Sequence, residues 1–129
     1  MELNKLIYEG NELNMAPEVK DYNVSNGSDK VIKFANGLMI IAGKRIISNV
    51  AITSSWGDIY ESPQTQLGDF AVSFTGVPTI TANVIGDVDC IMQYVKGTTS
   101  SSIGYTFFSS GVTKTGNVTV NFIAFGFWK

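Results

Sequence analysis

The closing segment, residues 117–129, constrains the fold more than any other part of the chain. It begins as a strand with one apolar and one polar face. The apolar positions there are Val118, Val120 and Phe122. The alternation then ends, because Ile123, Phe125 and Phe127 fall on the face that was polar. Only one face of such a strand can point into a small domain's own core, so a second copy of the chain or a folded-back N-terminal segment is expected to cover the other.

The composition excludes several classes of function. The chain has 129 residues, which is enough for one domain or one domain with an arm, and 44 % of them are hydrophobic. Its formal charge is −2 and its nine Lys and Arg residues are scattered, so no basic surface is predicted to bind nucleic acid. Histidine is absent, which removes the commonest general base and zinc ligand. We therefore expect no enzyme activity, no cofactor and no metal.

The ends of the chain and its single cysteine indicate where it is made. Cys90 has no partner for an intrachain disulfide and is expected to be a small buried hydrophobe. No run approaches the roughly 18 apolar residues of a membrane span. Glu2 stands where a signal peptide has its basic region. We expect synthesis in the cytoplasm without a signal peptide and without membrane insertion.

The first 30 residues differ in character from the rest. They hold six acids and three lysines, with turn-forming residues throughout, and their apolar residues follow no regular period. The sequence predicts an arm or linker over residues 1–30, with a short strand around Leu6–Tyr8, and a folded domain over residues 31–129. The arm either packs on a neighbour or folds alone.

Strand patterns are dense from residue 31 onward. Asn36-Gly37 between two apolar runs predicts a hairpin with a type I′ turn, and Gly43-Lys44 predicts a second turn. Residues 67–74 and 78–85 alternate as strands, the second headed by Pro78. Short strands separated by turns predict an all-β fold, an antiparallel β-sandwich that is jelly-roll-like or a related barrel.

Two loops are candidate binding sites. Trp56, Asp58 and Tyr60 form a glycine-containing loop whose rings could stack on sugars, although the preferred interpretation is that both rings cover one end of the barrel. Thr98, Thr99, Ser100 and Ser101 are hydroxyl residues between two strands; they suit a polar ligand or a solvated hairpin tip.

The acidic residues give weaker patterns. Asp87 and Asp89 lack the oxygen-rich surroundings of a calcium site and fit a solvated turn. Asp58, Glu61 and Asp69 would supply a glycosidase pair only if two of them met across a cleft. Surface charges that maintain solubility are the preferred interpretation, and no catalytic residue is assigned.

Four segments, taken in order, resemble the C-terminal domain of bacteriophage and prophage tail-fibre proteins. They are residues 31–40 (VIKFANGLMI), 55–63 (SWGDIYESP), 74–82 (FTGVPTITA) and 122–129 (FIAFGFWK). The resemblance covers roughly residues 31–129. It implies a homotrimeric β-sandwich at the distal tip of a tail fibre, located in the virion, with other tail proteins and a host cell-surface glycan as partners.

Three functions are compatible with these patterns. The first is a receptor-binding tip, with Ile123, Phe125 and Phe127 in the subunit interface and the two loops contacting the receptor. The second is a structural tail or baseplate component, or a trimerisation cap, that binds no receptor. The third is a depolymerase built on the acids at 58, 61 and 69. The resemblance favours the first.

Overall fold

The computed structural model describes residues 5–8, 11–14, 16–86 and 89–129. These residues form strands that pair antiparallel, and they contain no helix, so none that is long and apolar enough to cross a membrane. The all-β prediction is confirmed, and the arrangement is consistent with a β-sandwich. The strands are β1 (Lys5–Tyr8), β2 (Asn11–Asn14), β3 (Glu18–Val24), β4 (Gly27–Lys33), β5 (Leu38–Ile52), β6 (Ser54–Trp56), β7 (Ile59–Glu61), β8 (Thr65–Gln66), β9 (Thr79–Gly86), β10 (Ile91–Met92), β11 (Tyr105–Thr106), β12 (Phe108–Ser110) and β13 (Lys114–Phe127).

The closing strand β13 is the centre of the large sheet, whose strand order is β3-β4-β5-β13-β9. It pairs with β5 along almost its whole length and with β9 from Val118 to Phe125. Val118, Val120 and Phe122 are buried, as the alternation predicts. The register shifts between Gly116 and Val118, which is the irregularity of a β-bulge.

The second layer is shorter and less regular. Its main sheet has the order β10-β12-β7-β6, and β8 and β11 form a separate pair. Backbone hydrogen bonds extend the β7–β12 and β8–β11 pairings beyond the strand ends. Ser62 N donates to Phe108 O and Leu67 N donates to Gly104 O, each at 2.8 Å. The inward residues of both layers form one core, where the Phe70 ring lies edge-on to Phe122 with centroids 5.9 Å apart.

A buried ion pair joins the two layers. Asp29 on β4 and Arg45 on β5 face the core, with side chains 0 % and 3 % exposed. Arg45 Nη2 also donates to Asp69 O at 2.7 Å, and Ala71 N donates to Asp29 Oδ2 at 2.9 Å. Every buried polar side-chain atom among the described residues has a hydrogen-bond partner, so the pair leaves no donor or acceptor unsatisfied.

The N-terminal region contributes to the large sheet. The short strand expected around Leu6–Tyr8 corresponds to β1, which pairs with β2. Strands β3 and β4 form a hairpin that joins the sheet through β5. The predicted boundary between residues 30 and 31 therefore falls inside β4, because Asp29 and Val31 are successive inward positions of one strand.

The predicted hairpin at Asn36-Gly37 is present, but the prediction of a type I′ turn is wrong. Gly37 N donates to Phe34 O at 3.0 Å and Phe34 N donates to Leu38 O at 2.8 Å. Gly37 has a positive φ of 101°, whereas Asn36 does not. A type I′ turn requires positive φ at both central residues, so this connection is a longer loop with one left-handed glycine.

Two other local predictions are wrong. Gly43-Lys44 is not a turn, since β5 runs unbroken through it. A Cβ on Gly43 would clash with Asp29 Oδ1 and the Phe122 ring, so a glycine is needed here for close packing. Residues 67–74 form no regular strand. Leu67, Phe70 and Phe74 are nevertheless buried, because the segment lies across the core and bonds to Ser100 and Ser101. The strand predicted over residues 78–85 is confirmed as β9.

Candidate functional site

The outward side of the large sheet carries an exposed apolar surface, called the apolar face below. Its members are Val19, Ile32, Leu38, Ile40, Ile123, Phe125 and Phe127. The three residues from the closing strand are exposed in the single chain, Ile123 to 48 %, Phe125 to 46 % and Phe127 to 56 %. The sequence predicted that these three residues share the second face, with a second copy of the chain or a folded-back N-terminal segment as its cover.

Strand register makes the apolar face continuous. Val19 pairs with Ile32, Ile32 with Ile40, and Ile40 with Phe125, so one apolar row crosses four neighbouring strands. Neighbouring strands lie about 4.8 Å apart, which places these side chains in contact range of one another. Such a row would be unusual on a face that meets only water.

A polar row crosses the same side of the sheet next to the apolar face. Asn83, Asn121, Lys44, Ser28 and Asn23 form one cross-strand row. A depression of about 610 Å³ lies over this part of the sheet. Lys30 and Asp21 form an exposed ion pair at 3.7 Å. The apolar face therefore has a defined polar border.

The first predicted binding loop is a β-hairpin. Trp56 on β6 pairs with Ile59 on β7, so Gly57 and Asp58 form a two-residue turn, with Gly57 at a φ of +60°. The Trp56 side chain is 54 % exposed. Tyr60, in contrast, packs against the core. Of the two rings in this hairpin, Trp56 is the one available to a ligand.

The second predicted loop uses its hydroxyl groups internally. Thr98 Oγ1 donates to Ile103 O at 2.8 Å. Thr99 Oγ1 accepts from Ser102 N at 2.9 Å and from Ser101 N at 3.3 Å. These bonds shape the loop in the manner of other short hydroxyl-stabilised turns. The hydroxyls of Ser100 and Ser101 are the remaining polar groups for a ligand.

The two predicted loops lie at opposite ends of the large sheet. Phe74 N donates to Ser100 O and Thr75 N to Phe127 O, which places the hydroxyl loop beside the end of β13. Trp56 follows β5, whose last residue, Ile52, pairs with Lys114 at the start of β13. A fourteen-residue strand is roughly 40 Å long, so one small ligand cannot contact both loops.

Of these acidic residues, Glu61 and Asp89 have polar side-chain contacts. Glu61 Oε2 accepts from Gln93 Nε2 at 3.4 Å, and Asp58 is exposed in the hairpin turn. Asp89 Oδ2 lies 3.8 Å from Lys114 Nζ, while Asp87 is outside the described residues. Within the described part of the chain, no group of three or more Cys, Asp or Glu side chains could hold a metal ion.

Sequence reasoning missed a cluster on the outward side of the second layer. It consists of Tyr94, Lys96, Tyr105 and Phe107, called the aromatic cluster below. Alternation gave one usable signal: Thr106 and Phe108 are the buried positions, so Tyr105 and Phe107 point outward. The position of Lys96 depends on long-range pairing with Tyr105, which no local pattern specifies.

Comparison with known proteins identifies no relative: no family model, no curated protein and no solved structure matches the chain.

Proposed function

We propose that the protein is a non-enzymatic tip module of a bacteriophage tail fibre, a jelly-roll-like β-sandwich that assembles as a homotrimer and binds a host-surface glycan. The observation that carries the proposal is the apolar face, which includes an apolar row across four strands and which the single chain leaves partly exposed. The resemblance of residues 31–129 to tail-fibre C-terminal domains supports the assignment to a phage tail.

Burial of the apolar face would stabilise an oligomer substantially. Removing a large apolar side chain from water contributes about 1.5–3 kcal/mol if burial is complete. Ile123, Phe125 and Phe127 are each about half exposed, so their further burial gives part of that amount per residue and per subunit. The polar row at Asn121 and Asn83 borders the contact and would limit its extent.

Association also supplies a mechanism for attachment. A flat surface with exposed rings and hydroxyls binds a single sugar weakly. Three copies held rigidly together engage a repetitive surface with far greater avidity, without any new contact. Oligomerisation through one outward side of the sandwich leaves the opposite side free for the receptor.

The oligomeric state tests this proposal directly. We expect light scattering on the purified chain to give three times the 14.0 kDa chain mass, and Phe125→Glu to give a folded monomer. Thr115→Glu is a matched control, because Thr115 is exposed on the same strand outside the apolar face. A monomeric wild type, or a Phe125→Glu variant that stays trimeric, would contradict the proposed interface.

A second candidate is a structural tail component or trimerisation cap that binds no receptor. The internal hydrogen bonds of Thr98 and Thr99 favour it, since they occupy hydroxyls that were expected to face a ligand. Pull-down with cell-wall and envelope fractions from a panel of bacteria separates the two functions. A trimer that binds none of the fractions supports the structural role.

A further inference from the structure

The aromatic cluster combines three rings and one ammonium group on a single exposed surface. Lys96 Nζ lies 4.7 Å from the ring centroid of Tyr94 and 6.0 Å from that of Phe107. Tyr105 and Phe107 are edge-to-face, with centroids 6.2 Å apart and ring planes at 87°. Such distances are those of favourable cation–π and aromatic contacts. The four side chains therefore form one connected unit.

The backbone holds this unit in place. Lys96 N donates to Tyr105 O and Tyr105 N donates to Lys96 O, each at 2.8 Å, so the two chain segments that carry the cluster are joined at its centre. Gly97 has a φ of +71°, and a Cβ there would lie 3.0 Å from the Tyr105 ring. A glycine at this position lets the ring pack closely over the turn.

The cluster is accessible and lies on the side opposite the apolar face. The Tyr94 side chain is 69 % exposed, which is a large exposure for an aromatic ring in a well-packed domain. The hydrogen bond to the Tyr94 hydroxyl is the main cause that raises the pKa of Lys96. Lysine is protonated at neutral pH even at its ordinary pKa, so Lys96 is a cation there.

A polar row borders the cluster. Gln93 Nε2 donates to Ser109 Oγ at 3.1 Å and to Glu61 Oε2 at 3.4 Å. Next to the rings, the surface thus offers amide, hydroxyl and carboxylate groups. Ring faces beside hydrogen-bonding side chains fit a ligand that has an apolar face and polar edges, which is the character of a pyranose ring.

We propose that the aromatic cluster binds an anionic saccharide, with a sugar ring stacked on Tyr94 or Phe107 and a carboxylate or phosphate held by Lys96. A neutral sugar would use the rings but leave the ammonium group without a counter-charge. This inference rests on the proposed function, because it identifies the site and the chemical class of the glycan receptor. It differs from the two predicted loops in bringing several rings and a cation together.

Isothermal titration of the 129-residue chain tests the inference with defined probes. These are a hexuronic acid oligosaccharide, a sugar-phosphate oligomer and a neutral oligosaccharide of equal length. We expect one anionic probe to bind at least tenfold more tightly than the neutral one, with affinity that falls as salt rises. The two anionic probes distinguish a carboxylate from a phosphate ligand.

Variants locate the binding. Lys96→Met and Tyr94→Ala are expected to weaken the anionic probe at least tenfold. Lys20→Met is the matched control, since Lys20 also lies over a tyrosine, Tyr22, at 5.1 Å but on the large sheet. If Lys96→Met binds like the wild type, or if the neutral probe binds equally well, the inference is wrong.

Cell-surface binding separates this inference from the proposed function. Wild type that binds a bacterial wall fraction, with Lys96→Met binding equally, overturns the site but leaves the receptor-binding function intact. Loss of that binding in Trp56→Ala alone would assign the receptor to the β6–β7 hairpin instead. A wild type that binds neither a wall fraction nor any probe overturns both.

Discussion

Arg45 and Asp29 form a two-contact ion pair in the core, with Nη1–Oδ1 and Nη2–Oδ2 distances of 2.6 Å and 3.1 Å. The pair connects two neighbouring strands of the large sheet to the irregular segment at Asp69 and Ala71. That segment has few ladder hydrogen bonds of its own, so the ion pair fixes the second layer against the sheet. Bidentate arginine–carboxylate pairs of this kind are among the strongest charge-assisted hydrogen bonds.

Removal of one partner of this ion pair should strongly lower the free energy of unfolding. Asp29→Ala leaves the Arg45 guanidinium buried without a counter-charge, and breaking a buried pair in this way costs about 3–5 kcal/mol. We expect urea denaturation to show a loss of that size. Asp21→Ala is the control, because its pair with Lys30 is exposed and should contribute no more than about 1 kcal/mol. Equal losses in the two variants would show that Asp29 does not hold the layers together.

A second stability prediction concerns Gly43. A methyl group there would overlap Asp29 Oδ1 and the Phe122 ring, and overpacking of a core costs about 1–3 kcal/mol. Gly43→Ala should therefore lower the free energy of unfolding by that amount. Gly111→Ala is the matched control, since no atom lies within 4 Å of a Cβ at Gly111. Unchanged stability in Gly43→Ala would mean that β5 shifts to admit the methyl group.

The thiol of Cys90 provides a prediction with a defined pH dependence. Burial raises its pKa above the ordinary value, while the positive charge of Lys114 opposes the shift. Because only the thiolate reacts, alkylation by iodoacetamide should reach half its maximal rate at a higher pH than for a free cysteine peptide. Lys114→Gln should move that midpoint further up. A midpoint at or below that of the peptide would contradict the prediction.

The fold class could be predicted because alternation is a local property. The apolar positions of β13 and β9 and the double-sided end at Ile123 and Phe125 follow from period two alone. The role of Gly43 could not be predicted in this way, since a turn glycine and a packing glycine are identical in sequence. What makes Gly43 a packing glycine is its contact with Phe122, which is distant in the chain.

The candidate sites show the same limit. Ile123, Phe125 and Phe127 were identified because the strand's own pattern exposes them. The aromatic cluster was missed because Lys96, which lies outside the strands, reaches Tyr105 of β11 through an isolated bridge, and hydrophobic periodicity carries no information about such a pairing. Likewise, the internal hydrogen bonds of Thr98 depend on the backbone path of its loop.

The two edges of the large sheet predict where the protein aggregates when stressed. The edge strand β3 carries Glu18, Lys20 and Asp21, whereas the edge strand β9 has no charged residue along its eight residues. Charged side chains on an edge strand oppose pairing with another chain. We therefore expect aggregation on mild heating to begin through β9, and Asn83→Lys should delay the onset of turbidity. Thr113→Lys adds the same charge in an exposed turn outside the edge and should have little effect. If both variants delay turbidity equally, net charge is responsible and the unprotected edge is not.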